Sequence, residues 1–122
     1  MTMAEIVADF TSRHPDAPAA LIPADKGVVL ALSGSLDMNN SQDVEYLLST
    51  LIGIAEMGHP FMIDLGRVNY ISSTGVGSLV MALTNARKRN IHLGLRKMTD
   101  KVRSVFDLLG FTSFFEESSS HG

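Results

Sequence analysis

From Val28 onward the chain alternates between two hydrophobic patterns. Short aliphatic runs bounded by turn residues, VVLALS (Val28 to Ser33), FMIDL (Phe61 to Leu65) and IHLGL (Ile91 to Leu95), predict core strands. Between and after them apolar positions step by three and four, as a helix that buries one face requires. Val44, Leu47, Leu48, Leu51 and Ala55 form the first such stripe, Val76, Leu79, Val80, Leu83 and Ala86 the second, and Val102, Val105, Phe106 and Leu109 the third. Local signals frame these helices. Asn40 or Ser41 can cap the first, which Gly58 and Pro60 stop; basic residues end the second at RKRN; Thr99 or Asp100 opens the third and Gly110 closes it. The loop GSLDMNN is expected to break the Val28 strand, and GRVNY to carry the chain away from the Phe61 strand as a loop. Strand and helix in alternation predict an α/β sandwich, with a mixed sheet of four to five strands around a mostly parallel core and helices packed on it.

The first 27 residues follow a different pattern. Met3, Ile6, Val7 and Phe10 have helical spacing behind a possible Thr2 cap, and the proline-rich segment that follows leaves room for a short edge strand near Ala19 to Ile22. The reading is an N-terminal appendage (1–18), one domain (19–116) and a polar tail (117–122), with FTSFF as a last short element before the tail.

Composition narrows the function classes. A chain of 122 residues is the size of one ordinary domain, and 45% hydrophobic with 19% charged residues suits a globular protein. A net charge of −3 exerts no general pull toward nucleic acid or anionic membrane. Seven of the ten basic residues, Arg87, Lys88, Arg89, Arg96, Lys97, Lys101 and Arg103, lie in the C-terminal half. They read as a solvated face or as a docking surface for an acidic partner or phosphate. No aromatic residues interleave with them as nucleic-acid binding would favour. Absence of cysteine fits a reducing compartment, and the acidic N-terminus lacks the pattern of a signal peptide, so a cytoplasmic location without a membrane anchor is expected.

The chemistry concentrates at ISSTGVG, residues 71–77, where a strand feeds a helix. A helix N-terminus offers free N–H groups and a favourable dipole to an anion. A phosphate-cradling P-loop would need a lysine after its glycines, and none is present. A nucleophile elbow would need glycine where Ile71 stands, and His14, His59, His92 and His121 have no spacing to an acid that would orient a base. Paired metal-ligand spacing is also missing. No enzyme activity, metal or cofactor is therefore expected. Two readings of Ser72, Ser73 and Thr74 stay open on these residues alone: caps for the following helix, or a site that a kinase approaches, with Gly75 and Gly77 keeping the backbone uncluttered.

Three stretches, GSLDMNNSQDVEYLL, FMIDLGRVNYISSTGVGSLVMALTNARKRNIHLGL and KVRSVFDLLGFTSFF, together resemble the STAS domain of bacterial anti-sigma factor antagonists over roughly Val28 to Phe115. That family's signature is a strand ending in Asp-Leu, a valine and an aromatic residue a little further on, then Asp-Ser-Ser or Asp-Ser-Thr before Gly-Leu-Gly. Asp64, Leu65, Val68, Tyr70, Ser73, Thr74, Gly75 and Gly77 match it; Ser72 stands where the signature has its second Asp. The resemblance implies Ser73 as the residue phosphorylated by an anti-sigma factor serine kinase, with Ser72 and Thr74 as alternatives, and a serine phosphatase that removes the phosphate. It also implies partner contacts at Asp37, Met38, Asn39, Asn40, Ser72, Thr74, Gly75, Val76 and Gly77. The implied function is a phosphorylation-switched binding module that sequesters the kinase and so regulates sigma-factor-dependent transcription. STAS domains also serve as regulatory subunits of lipid-transport ATPases and in stress-signalling scaffolds.

Overall fold

The computed structural model describes residues 1–119; the end of the expected polar tail, 120–122, with His121, lies outside them. In chain order the elements are α1 (Met3–Arg13), β1 (Ala20–Ile22), β2 (Val28–Leu36), α2 (Ser41–Ile54), β3 (Pro60–Ile71), α3 (Ser73–Lys88), β4 (His92–Arg96), α4 (Asp100–Leu109) and α5 (Thr112–Ser119). Among the described residues the sheet has four strands in the order β1-β2-β3-β4, with β1 antiparallel to β2 and the remaining pairs parallel. Each parallel pair is joined by one helix, so the loops that leave β2 and β3 emerge side by side at the same end of the sheet.

One hydrophobic cluster unites every layer. Leu30, Leu32, Phe61, Ile63, Leu93 and Leu95 from the strands meet Leu47, Leu51, Val76, Leu79 and Leu83 from α2 and α3, and Val102, Phe106 and Phe115 join them from α4 and α5. Ile6, Val7 and Phe10 of α1 enter the same cluster. Thr2 starts α1 with a reciprocal cap, accepting from the Glu5 amide while the Glu5 carboxylate accepts from the Thr2 amide. Gly110 ends α4 in the left-handed conformation, at φ 78°.

Both central strands run longer than their aliphatic runs predict. Expected to end at Ser33, β2 continues to Leu36, and β3 continues past Leu65 to Ile71. The pairing shifts register twice, once between Ala31↔Asp64 and Ser33↔Arg67 and again between Gly34↔Val68 and Ser35↔Tyr70, so the inward and outward alternation that marks a strand is scrambled there. Gly34 adopts a φ of 73° inside β2, and a side chain at its Cα would collide with the backbone of Asp16. At the C-terminus FTSFF opens α5, which runs into the first residues of the expected tail. The expected basic face is partly committed to internal contacts: Arg89 donates to the Ile52 and Ala55 carbonyls, Arg96 pairs with Asp64, and Arg87 lies over the Phe114 ring.

Candidate functional site

The extra length of β2 and β3 builds the site. Ser72 N–H donates to the Leu36 carbonyl at 2.9 Å, one step beyond the last paired residues Leu36 and Ile71. The hydroxyl-rich start of α3 is thereby held beside the loop Asp37–Asn40, which leaves β2 for α2. A second tie comes from Ser78, 2% exposed, whose hydroxyl donates to the Ser41 carbonyl at 2.8 Å and shares the Thr74 carbonyl at 3.2 Å. The two helix starts are one rigid surface as a result.

The three consecutive hydroxyls have different jobs. Ser72 is the N-cap of α3, in extended conformation, and its oxygen accepts from the Gly75 amide at 3.2 Å. Its hydroxyl is also 2.7 Å from that of Thr74. Ser73 is the first helical residue, is exposed, and its hydroxyl has no hydrogen-bond partner among the described residues. The order of the residues explains this division: the cap position faces back over the first turn, while the next residue along points away from it.

The expected partner contacts separate into surface and support. Met38 is 77% exposed, and Asn39, Ser73, Thr74 and Gly77 also lie open. Asn40, Gly75 and Val76 are buried and offer little for a partner to touch. Asn40 stands at the N-cap position of α2 without capping it. Its side chain turns back instead, accepting from the Asp37 amide at 3.0 Å and donating to the Ser35 carbonyl at 2.8 Å. Gly75 permits close approach: a Cβ there would sit 2.5 Å from the Leu36 oxygen and 2.9 Å from Ile71 Cγ1, whereas one on Gly77 would meet nothing within 4 Å. Val76 anchors α3 in the core. Asp37 is half-buried, and its carboxylate accepts from the Asn39 amide at 2.9 Å, so it shapes its own turn as well as facing outward.

Sequence reasoning passed over Ser78 and Asn69, and marked Tyr70 as a signature residue without assigning it to this surface. Ser78 was legible as a lone hydroxyl on an otherwise apolar helical stripe, four residues after Thr74. Tyr70 is 48% exposed and pairs with Ser35, while Ser35 reaches Asn69 at 3.5 Å, so both extend the surface along the strand ends.

Asp64, of the signature, lies apart from this surface in the interior of β3. It is 6% exposed, accepts from the Gly66 amide at 2.9 Å and from Arg96 Nε at 3.0 Å, and has Lys97 Nζ at 3.9 Å. Burial pushes its carboxyl up, but the Gly66 amide, the Arg96 hydrogen bond and the charges of Arg96 and Lys97 outweigh burial and leave the carboxyl below its ordinary range. It is a strand-to-strand tie between β3 and β4. No group of three or more potential metal ligands gathers among the described residues.

With the geometry in place, comparison with known proteins identifies the class. The family described as "Mlab, STAS domain" matches residues 21–116, so the chain belongs to the STAS domain family. Among its relatives is BtrV of Bordetella bronchiseptica, provisionally named an anti-sigma factor antagonist, 29% identical over 79% of this chain and 81% of that protein. Its solved structural neighbours include an anti-sigma factor antagonist from Mycobacterium paratuberculosis, at a TM-score of 0.70 and 21% identity, covering 83% of this chain and 85% of that one. Another is the anti-sigma factor antagonist SpoIIAA in its unphosphorylated form, at a TM-score of 0.64 and 22% identity, covering 78% and 83%. At these identities the two structures speak for the fold: a mixed, mostly parallel sheet with helices packed on it. No helix among the described residues is long and apolar enough to cross a membrane.

Proposed function

We propose that this chain is an anti-sigma factor antagonist switched by phosphorylation of Ser73. Unphosphorylated, it binds an anti-sigma factor serine kinase through the start of α3 and the Asp37–Asn40 loop, and the sigma factor held by that kinase is freed. The kinase then transfers the terminal phosphoryl group of ATP to the Ser73 oxygen, breaking its bond to the β–γ bridging oxygen and leaving ADP, while the serine proton passes to a base on the kinase. A serine phosphatase hydrolyses the phosphoserine and resets the module. The antagonist itself is a binding protein; ATP, magnesium and catalysis are the kinase's.

The observation that carries this reading is the exposed Ser73 hydroxyl, unbonded among the described residues, on a helix start tied to the Asp37 loop. Ser72 and Thr74 are poorer acceptors because their hydroxyls bond each other and the helix amide. A phosphate on Ser73 adds about −1.5 to −2 charges at a helix N-terminus, where the dipole favours it and the fold tolerates it. A partner seated on the same surface would have to desolvate that anion, and affinity falls.

Labelling by the cognate kinase tests the assignment. Wild type, Ser72→Ala and Thr74→Ala should take up phosphate and Ser73→Ala should not; labelling that persists in Ser73→Ala names a different acceptor. Ser72 in place of the signature Asp favours a second reading, a regulatory subunit of a lipid-transport ATPase or a stress-signalling scaffold that binds constitutively. Protein isolated from its own cells, copurified with such an ATPase and showing no phosphorylated mass, would favour that reading over the switch.

A further inference from the structure

The α1 helix precedes the residues matched by the family, yet its end reaches the candidate site. His14 Nε2 donates to the Asp43 carboxylate at 2.6 Å, and Arg13 Nη1 contacts the same carboxylate at 3.4 Å. Asp43 belongs to the first turn of α2, immediately after the Asp37–Asn40 loop. The His14 ring packs on Phe10, 4.8 Å between centroids, and Phe10 is buried in the core, so the imidazole is aimed by the body of the molecule. Beyond His14 the chain is pinned twice more. Thr11 exchanges hydrogen bonds with the backbone of Ala19 at 3.0 Å, and the Asp16 and Ala17 backbone rests against Gly34 of β2. A cleft of about 320 Å³ remains between this segment and the loop, lined among others by Arg13, His14, Asp16, Ser35, Asp37 and Asn39.

We propose that His14, acting through Asp43, is a positioning residue for the partner-binding loop, so that α1 is part of the recognition apparatus. The loop has two moorings. At its β2 end Asn40 and the strand pairing fix it; at its α2 end the first helical turn is clamped between Ser78 of α3 and His14 of α1. Without the α1 clamp the first turn of α2 is held from one side, and Asp37, Met38 and Asn39 sample more conformations before a partner arrives. Ordering them on binding then costs affinity. Loss of a hydrogen bond to a charged group at this point should weaken partner binding by about tenfold.

The test rests on the proposed function for its binding arm alone. Hydrogen exchange on the free protein should show faster exchange at the amides of Asn39, Asn40 and Ser41 in His14→Ala, relative to amides of β3. His14→Gln, which restores an N–H donor at similar reach, should recover wild-type exchange. Asp43→Ala leaves α1 and its core residues intact; it should reproduce the effect, and the double variant His14→Ala/Asp43→Ala should be no worse than either single one. Affinity for the anti-sigma kinase should fall in parallel. Unchanged loop exchange in Asp43→Ala overturns the proposal, as does a double variant whose effect is the sum of the singles. A kinase that ignores the wild-type protein refutes the proposed function while the exchange result still decides the role of His14.

Discussion

α2 and α3 both begin at the carboxyl end of the parallel strands, but their first turns handle polar groups in opposite ways. At α2, Asn40 is buried and its amide is committed at one end to the loop residue Asp37 and at the other to Ser35 of β2, while Asp37 closes its own turn. At α3, Ser72 serves the helix as its cap, and Ser73, one residue further, is left exposed with its hydroxyl unbonded among the described residues. The first arrangement preserves a shape. The second presents a group whose chemistry can change without disturbing that shape. Under the proposed function, placing them side by side gives the kinase a fixed loop to recognise and a hydroxyl whose modification it must accommodate.

Substitutions that enlarge the support beneath α3 should have the largest effect. Gly75→Val puts carbon into the space of the Leu36 carbonyl and Ile71, and should cost about 3 kcal/mol as overpacking against backbone. Gly77→Ala, in open space, should leave the melting temperature at or above wild type because alanine is the better helix former. Equal melting of the two variants would remove the distinction between buried support and open surface.

Asn40→Ala comes next, at about 2 kcal/mol, because the part-buried Asp37 amide and Ser35 carbonyl each lose a partner. Denaturant unfolding gives the loss. A variant that unfolds like wild type would mean that water replaces the side chain and that the loop is less rigid than its hydrogen bonds imply.

Asp64 offers a control away from both helix starts. Its folded-state carboxyl is lowered, so its contribution is fully present above the unfolded value, near pH 4, and is lost as pH falls through the folded value. Asp64→Asn should therefore cost about 1 to 2 kcal/mol at neutral pH, and the gap to wild type should close on acidification below about pH 4. Thermal melts of both proteins across that range check the sign. A gap that widens in acid would contradict the pairing with Arg96 and Lys97.

The smallest effects sharpen the comparison most. Ser72→Ala removes the cap and should cost about 1 kcal/mol, whereas Ser73→Ala should stay within about 0.5 kcal/mol of wild type. If the two are equally destabilising, Ser73 is a structural residue and the contrast between the helix starts disappears.

Between Val28 and Leu109 hydrophobic period, with turn and cap residues, determined the order of strands and helices, because burial of one helical face or of a strand imprints a repeat on the chain. The stripes from Val44, Val76 and Val102, the runs at Val28, Phe61 and Ile91, and the stops at Gly58 and Gly110 are all local. Motif residues likewise marked the region around Ser73 and Asp37. The far ends of β2 and β3 were not legible, since register shifts there break the alternation and the pairing that stabilises them is supplied by the neighbouring strand. For the same reason only the tertiary structure decided which site residues face outward. Ser72 and Ser73 are the same residue type, and only alignment to the signature tells them apart in the sequence; the Gly75 amide and the Leu36 carbonyl, brought in by folding, make the first a cap and leave the second exposed. Asn40 resembles an exposed cap until the Ser35 carbonyl and Asp37 amide claim its side chain. His14 and Asp43 are 29 residues apart, and no local spacing announces a contact that exists because α1 packs against α2.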